Sequence, residues 1–151
     1  MREVPVKVFF DATVLVAAVL EDHEHFERSF AVLSAAKRSS TFCAAHNLAE
    51  MYATLTRYLG KDRLSAEQAL ISLEKIEERL TIIALNAPES VAAIRKFASK
   101  GIIGGMLYDG LIGACALKAG AEIIYRWNTA HFRMLGEEWR KKSARRRDWK
   151  P

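Results

Sequence analysis

The sequence has little of what marks membrane and secreted proteins. None of its apolar runs reaches the roughly 18 residues that a membrane span needs. Its start, MREVPVKVFF, leads directly into a predicted strand without the apolar core of a signal peptide. Its two cysteines, Cys43 and Cys115, stand in the apolar stretches TFCAA and LIGACAL, without the spacing of a disulfide framework. We therefore expect a cytoplasmic protein with two buried free thiols.

The signature motifs of several enzyme classes are absent as well. The chain contains no Walker-type phosphate loop, no HExxH, no GxSxG and no zinc-type CxxC. P-loop nucleotide hydrolysis, zinc proteolysis and serine-hydrolase chemistry therefore lack their usual sequence evidence.

Positive charge is concentrated at the C-terminal end. Residues 133–151 contain eight bases and three acids, which accounts for the whole net charge of +5, and the first 132 residues are neutral. Such a tail favours a polyanion partner, because lysine and arginine gain affinity near phosphates by releasing counterions. A solvated chain end without a partner is the equally open alternative.

Apolar runs and amphipathic stretches alternate along the chain, which predicts one α/β domain with a parallel sheet between helices. We predict a sheet of four or five strands in a three-layer sandwich over residues 1–135, followed by a basic tail, 136–151. The sequence does not decide whether this tail forms an edge strand, a helix or a disordered segment. The tail could also complete the same domain. The predicted strands are residues 6–10, TFCAA from Thr41, TIIAL from Thr81, and EIIY.

Several residues mark the ends of the predicted helices. Asp22 is a candidate N-cap for a helix over 23–36, and Ser65 with Gln68 forms a capping-box pattern. Pro88 suits the first turn of a helix that runs to about residue 100, and Gly60 suits the end of the helix after the second strand.

Three acids stand in otherwise apolar surroundings. Asp11 ends the first strand, Glu50 lies in the helix after the second, and Asp109 lies near the start of LYDGLIGACALKAG. Each has an ordinary alternative: either aspartate could cap a helix, and Glu50 could pair with His46 one turn earlier. Strand ends and the first turns of helices meet at one edge of a parallel sheet, so we expect the three acids to converge.

Converging carboxylates repel one another and raise one another's pKa unless a cation neutralises them. Mg²⁺ and similar hard ions prefer oxygen ligands and commonly bind one or two carboxylates together with substrate phosphates. Such an ion lowers the pKa of water and stabilises charge in a phosphoryl transition state. The acids therefore favour phosphodiester cleavage with Mg²⁺ or Mn²⁺.

Four segments in the same order and spacing resemble the PIN-domain ribonucleases, above all VapC toxins: VFFDATVLVAAV, AAHNLAEMYATLTR, GGMLYDGLIGACALKAGA and IIYRWNTAHF. The resemblance covers roughly residues 6–135. It implies a metal-dependent endoribonuclease in which Asp11, Glu50 and Asp109 are the metal ligands. Asn128 matches a fourth site member, which would orient the metal-bound water or support the metal ligands. Thr13 matches a small polar residue beside the first acid and is a candidate for contact with the substrate.

One position departs from the family's pattern. Many relatives carry Thr or Ser two residues before the fourth site, where this chain has Arg126. That arginine could bind the scissile phosphate or displace a weaker second metal ion. The candidates for contact with the RNA backbone are Arg126, His131, Arg133 and the bases of the tail.

The resemblance also implies a biological setting. It implies a translation-blocking toxin that cuts tRNA or rRNA, leaves a 5′-phosphate and a 3′-hydroxyl, and forms a homodimer. A VapB-like antitoxin would inhibit it by lying across the acidic groove. The rivals are a phosphohydrolase of the haloacid dehalogenase type, which would need an aspartate in place of Thr13, and a noncatalytic RNA-binding or scaffold domain.

Overall fold

A computed structural model describes residues 3–57, 61 and 63–127 and the backbone of residues 143–144. Strands and helices alternate in it, as the sequence predicts. The strands are β1 (Val8–Phe10), β2 (Thr41–Ala44), β3 (Thr81–Ile83), β4 (Ile123–Tyr125) and β5 (Ser143–Ala144). The helices are α1 (Ala12–Val19), α2 (Phe26–Ser34), α3 (Ala45–Arg57), α4 (Ala66–Arg79), α5 (Ala87–Ser99) and α6 (Met106–Ala119).

The five strands form one parallel sheet in the order β3-β2-β1-β4-β5. β1 is central because it pairs with β2 on one side and β4 on the other. All the carboxyl ends therefore lie at one edge of the sheet, which is where ligands bind in open parallel sheets.

Successive strand residues point to opposite faces, and each face is covered by helices. Phe10, Cys43 and Tyr125 belong to an apolar cluster with α1, α2, α3 and α4. Phe9 and Ile124, one residue away, belong to a second cluster with α5 and α6. This is the predicted three-layer sandwich.

The two cysteines are buried free thiols, as predicted. Burial raises the pKa of Cys43 to about 12, so its thiol stays protonated.

No helix in the described part of the chain is both long and apolar enough to cross a membrane.

The helix boundaries confirm two of the predicted caps and correct a third. Ser65 caps α4 in a capping box with Gln68, and Pro88 lies in the first turn of α5. Asp22 is not an N-cap, because residues 22–25 form turns and α2 begins only at Phe26. Gly60 lies outside the described residues.

The four predicted strands are present but shorter than predicted: β2 and β3 end before the last residues of TFCAA and TIIAL, and β4 begins one residue into EIIY. β1 begins at Val8 rather than at residue 6, because its neighbours begin at the residues that pair with Val8, namely Thr41 and Ile123. A fifth strand, Ser143–Ala144, pairs with β4 and places these two residues of the predicted tail in the sheet. Of the three conformations left open for the tail, these two residues adopt the edge strand.

Close packing of α5 against α6 depends on Gly110. A Cβ atom at Gly110 would lie 2.9 Å from Cε2 of Phe97, whose ring is 2% exposed and cannot move aside. Gly110→Ala should destabilise the protein by about 1 kcal/mol, because overpacking costs about 1–3 kcal/mol and the better helix propensity returns about 1 kcal/mol. Urea unfolding measures this difference.

Gly105 provides the matched control for that substitution. A Cβ there meets no atom within 4 Å, and the residue has negative φ. Gly105→Ala should therefore change stability by less than about 0.5 kcal/mol. Equal losses in the two variants would contradict the packing role of Gly110.

Candidate active site

The sheet register places Asp11 and Arg126 side by side. Phe10 pairs with Tyr125, so the next residues of β1 and β4 leave the sheet as neighbours. The Asp11 backbone N–H donates to the Tyr125 carbonyl oxygen at 3.0 Å. The centre of the carboxyl edge therefore carries one acid and one base.

Asp11 has two roles at once. Its Oδ2 accepts hydrogen bonds from the Thr13 backbone N–H at 3.2 Å and from the Thr13 hydroxyl at 2.9 Å, so it is the N-cap of α1. Thr13 Oγ1 in turn accepts from the Trp127 backbone N–H at 3.2 Å. The helix-capping alternative is thus correct, and the same bonds fix a buried carboxylate at the sheet edge.

Glu50 reaches the same edge from α3, which begins directly after β2. Its Oε1 lies 3.1 Å from His46 Nε2, so the ordinary pairing considered for it is also present. Burial and, to a lesser extent, the charges of Asp11 and Asp109 raise the pKa of Glu50 to about 7, while the charge of Arg126 opposes the shift. Glu50 thus lies near enough to both aspartates for their charges to act on it.

Asp109 lies in the first turn of α6, whose N-terminus points to the carboxyl edge because β4 follows this helix. It is not the cap of α6, since that position is Gly105. The side chain is half-buried and its charge acts on both Glu50 and Arg126. Asp109 therefore belongs to the acidic cluster, defined here as Asp11, Glu50 and Asp109.

Arg126 lies inside the site rather than on its rim. Only 5% of the residue is exposed, and its Nη2 lies 3.9 Å from Asp11 Oδ2. Burial lowers the pKa of Arg126, while the three carboxylates of the acidic cluster act to raise it. The guanidinium is thus a built-in positive charge next to the acids.

The raised pKa of Glu50 gives a pH dependence in the protein without added metal. Because the folded pKa, about 7, exceeds the ordinary value of 4.5, the folded state binds more protons between these values. Stability should then fall as pH rises from about 4.5 to about 7 and stay low above it. Since the Glu50 side chain is 40% exposed, we expect a loss of only about 1 kcal/mol.

Glu50→Gln should remove this loss, because glutamine carries no charge at either pH. Urea unfolding in EDTA at pH 5 and pH 8 measures this. The free energy of unfolding of the variant, relative to that of wild type, should be larger at pH 8 than at pH 5. A variant that follows the wild-type pH dependence would contradict the raised pKa.

Two cavities flank the acidic cluster, and the Glu50–His46 pair stands between them. The first, of about 170 Å³, is apolar and includes His46 and Tyr108 in its lining. The second, of about 430 Å³, is more polar and includes Glu50, Thr13 and Trp127. Open space therefore lies on both sides of the Glu50–His46 pair.

The sequence interpretation missed the aromatic residues around the site. Tyr108 is 59% exposed although it directly precedes Asp109. His23 and His25 line the second cavity, where the His25 ring stacks on Trp127 with centroids 3.6 Å apart. Two features of the sequence could have predicted these residues: the dipeptide Tyr108-Asp109 and the run DHEH at residues 22–25.

Three predicted site residues, Asn128, His131 and Arg133, lie outside the described residues. The structure brings together the other five: Asp11, Thr13, Glu50, Asp109 and Arg126.

The protein is thus an α/β protein with a parallel sheet and three acids at the carboxyl edge of that sheet. A comparison with models of protein families identifies the family. The model of the PIN domain matches residues 8–133. The chain belongs to the PIN domain family, which is a family of nucleases. The resemblance stated from four short segments is confirmed.

Solved structures of bacterial toxin–antitoxin proteins share the fold. VapC20 of Mycobacterium tuberculosis, a toxin that cleaves the sarcin-ricin loop, superposes with a TM-score of 0.65 at 16% identity, over 83% of this chain and 92% of that one. VapBC2 of Rickettsia felis bound to promoter DNA superposes with a TM-score of 0.58 at 19% identity, over 86% of this chain and 93% of that one. DNA-bound VapBC of Salmonella typhimurium superposes with a TM-score of 0.58 at 20% identity, over 85% of this chain and 92% of that one.

A comparison with curated proteins found no significant match.

PIN-domain nucleases generally use divalent metal ions, and the chemistry of this site suits one. Three carboxylates supply hard oxygen donors, and their mutual repulsion at Glu50 is what a cation relieves. Within the described residues, no three acidic, histidine or cysteine side chains are grouped closely enough to hold an ion. The chemistry of the donor set therefore fits a divalent ion.

Proposed function

We propose that the protein is a metal-dependent endoribonuclease and the toxin of a toxin–antitoxin pair. The single observation that carries this proposal is the acidic cluster, whose members come from three separate elements and act electrostatically on one another. Three carboxylates beside one guanidinium still repel one another, so their assembly at a ligand-binding edge favours catalysis over structure.

Asp11, Glu50 and Asp109 would hold Mg²⁺ or Mn²⁺. When bound, such an ion supplies an activated water and stabilises the negative charge that develops at phosphorus. The chain's own residues set the orientation of the ligands. Thr13 fixes the carboxylate of Asp11 through two hydrogen bonds, and His46 fixes that of Glu50 through one contact.

Of the two roles considered for Arg126, displacement of a weaker second metal ion is the one we favour over binding of the scissile phosphate. The burial of Arg126 against Asp11 favours neutralisation of the cluster over a first contact with the RNA backbone. A guanidinium at this place lowers the repulsion between the acids, and it competes with any second cation for Asp11. We propose that the site therefore binds one divalent ion tightly rather than two.

The residues outside the described part keep their predicted roles as proposals. Asn128 would orient the attacking water, and His131, Arg133 and the basic tail would contact the phosphates of the RNA. Since water rather than the 2′-hydroxyl is the nucleophile, the preference for RNA must come from the shape of the substrate.

Likeness to VapC20, VapBC2 and the Salmonella VapBC complex supports the toxin role. The partner would be a VapB-like antitoxin that covers the acidic cluster, and the toxin would be a homodimer. A tRNA or rRNA substrate would place the protein in the cytoplasm.

Incubation of the purified, antitoxin-free protein with a pool of folded tRNA and rRNA fragments tests this proposal. We expect discrete cuts with Mg²⁺ or Mn²⁺ and none with EDTA. Binding of the pool without cleavage under every metal condition, by protein shown to be folded, would instead favour the noncatalytic RNA-binding domain.

A further inference from the structure

The smaller of the two flanking cavities is lined mainly by apolar side chains. Its walls come from the ends of β2 and β3 and from α6, and they include Ala44, Ile83, Leu85, Leu111 and Cys115. The volume is about 170 Å³, whereas pockets for drug-sized ligands occupy roughly 300–1,000 Å³. The cavity therefore suits a single small ring system rather than a folded peptide segment.

Two aromatic rings form the rim of this cavity. The rings of His46 and Tyr108 are parallel within 5°, with centroids 5.9 Å apart. Tyr108 remains 59% exposed in spite of this contact, and His46 is similarly open. A large aromatic residue that stays exposed beside a cavity leaves surface for a third ring, since flat rings attract one another by offset stacking.

Both rings are tied directly to the acidic cluster. His46 lies 3.1 Å from Glu50, and Tyr108 directly precedes Asp109 in the first turn of α6. Whatever fills the cavity therefore lies next to the reacting phosphate of a bound substrate. Ser90 and His46 supply polar atoms on the lining, which a ligand with hydrogen-bonding edges can use.

We propose that this cavity binds one unpaired nucleobase that flanks the cleaved phosphate, stacked on Tyr108 and His46. The inference rests on the proposed function and adds the part of the substrate that the site recognises. A nucleobase is flat and uncharged, so it avoids the repulsion that the acids exert on an anion. Unstacked bases of RNA loops are recognised in this way, by aromatic side chains.

Tyr108→Ala, Tyr108→Phe and Phe30→Ala test the inference. Phe30 is an exposed aromatic residue of α2 that lines a different groove, so it controls for the loss of a surface ring. We expect Tyr108→Ala to raise KM for RNA roughly 5- to 150-fold, the range for one stacked base, with a smaller effect on kcat. Tyr108→Phe restores the ring and should recover most of the affinity lost in Tyr108→Ala, and Phe30→Ala should keep the wild-type KM.

A second readout does not require turnover. Single-stranded hexanucleotides that carry one 2-aminopurine should lose fluorescence on binding to the Asp109→Asn protein, because stacking quenches the base. The quenching should disappear when Tyr108→Ala is added. Persistent quenching, or an unchanged KM in Tyr108→Ala, would overturn the inference while leaving the nuclease proposal intact.

Release of a bound protein partner by Tyr108→Ala, with oligonucleotide binding unchanged, would also overturn the inference, since the cavity would then serve that partner. Quenching as expected in a protein that cuts no RNA would support base binding and contradict the proposed function. The two proposals can thus fail separately.

Discussion

Asp109→Asn should lower the rate of RNA cleavage by at least about 100-fold while the fold remains intact. Asparagine keeps the shape of the side chain and removes one of the three charges that would hold the metal ion. The residue is half-buried in the first turn of α6 and is not its cap, so we expect α6 to form in the variant. Single-turnover cleavage in Mg²⁺ measures the effect.

The free energy of unfolding of Asp109→Asn shows whether the variant loses activity because a metal ligand is gone or because the fold is damaged. With one charge fewer beside Glu50, the metal-free variant should unfold at the same urea concentration as wild type or at a higher one. Glu67→Gln, which removes an exposed acid in the first turn of α4, is the matched control and should cut RNA normally. Wild-type activity in Asp109→Asn would remove this residue from the site.

Arg126→Met should destabilise the metal-free protein by about 3–5 kcal/mol, the usual cost of leaving a buried charge without its partner. The variant retains Asp11, which is 3% exposed, and the rest of the acidic cluster, but loses the guanidinium 3.9 Å away. Urea unfolding in EDTA measures the loss. Arg95→Met, on the exposed surface of α5, should have little effect.

Two further measurements test whether the loss comes from charge. Adding Asp11→Asn to Arg126→Met should cost less than the sum of the single changes, because the unpaired carboxylate is then gone. Mg²⁺ should stabilise Arg126→Met more than wild type, since the ion no longer competes with a guanidinium. Strict additivity, together with equal stabilisation by Mg²⁺, would contradict the role given to Arg126.

Much of the site could be predicted because it depends on topology. Once strands and helices alternate, Asp11, Glu50 and Asp109 must approach the same edge of the sheet, whatever the details of packing. The capping box of Ser65 is local in sequence and was equally predictable. Asp22 shows the limit of such local patterns, because turns over residues 22–25 delay the start of α2.

The features that the sequence did not predict depend on contacts between distant elements. Arginine is rarely buried, so the position of Arg126 against Asp11 follows only from the register of β1 with β4. The parallel rings of His46 and Tyr108 require α3 and α6 to be neighbours at their N-termini. Neither arrangement leaves a pattern within a single segment.

The chemistry of the RNA ends tests most directly the claim that the acidic cluster directs water onto phosphorus. Fragments produced by the wild-type protein in Mg²⁺ can be analysed by ligation that requires a 5′-phosphate, with EDTA reactions and Asp109→Asn run beside them. We expect 5′-phosphate and 3′-hydroxyl ends in the Mg²⁺ reaction and intact RNA in the other two. Cyclic 2′,3′-phosphate ends, or cleavage that persists in EDTA, would contradict metal-assisted hydrolysis by Asp11, Glu50 and Asp109.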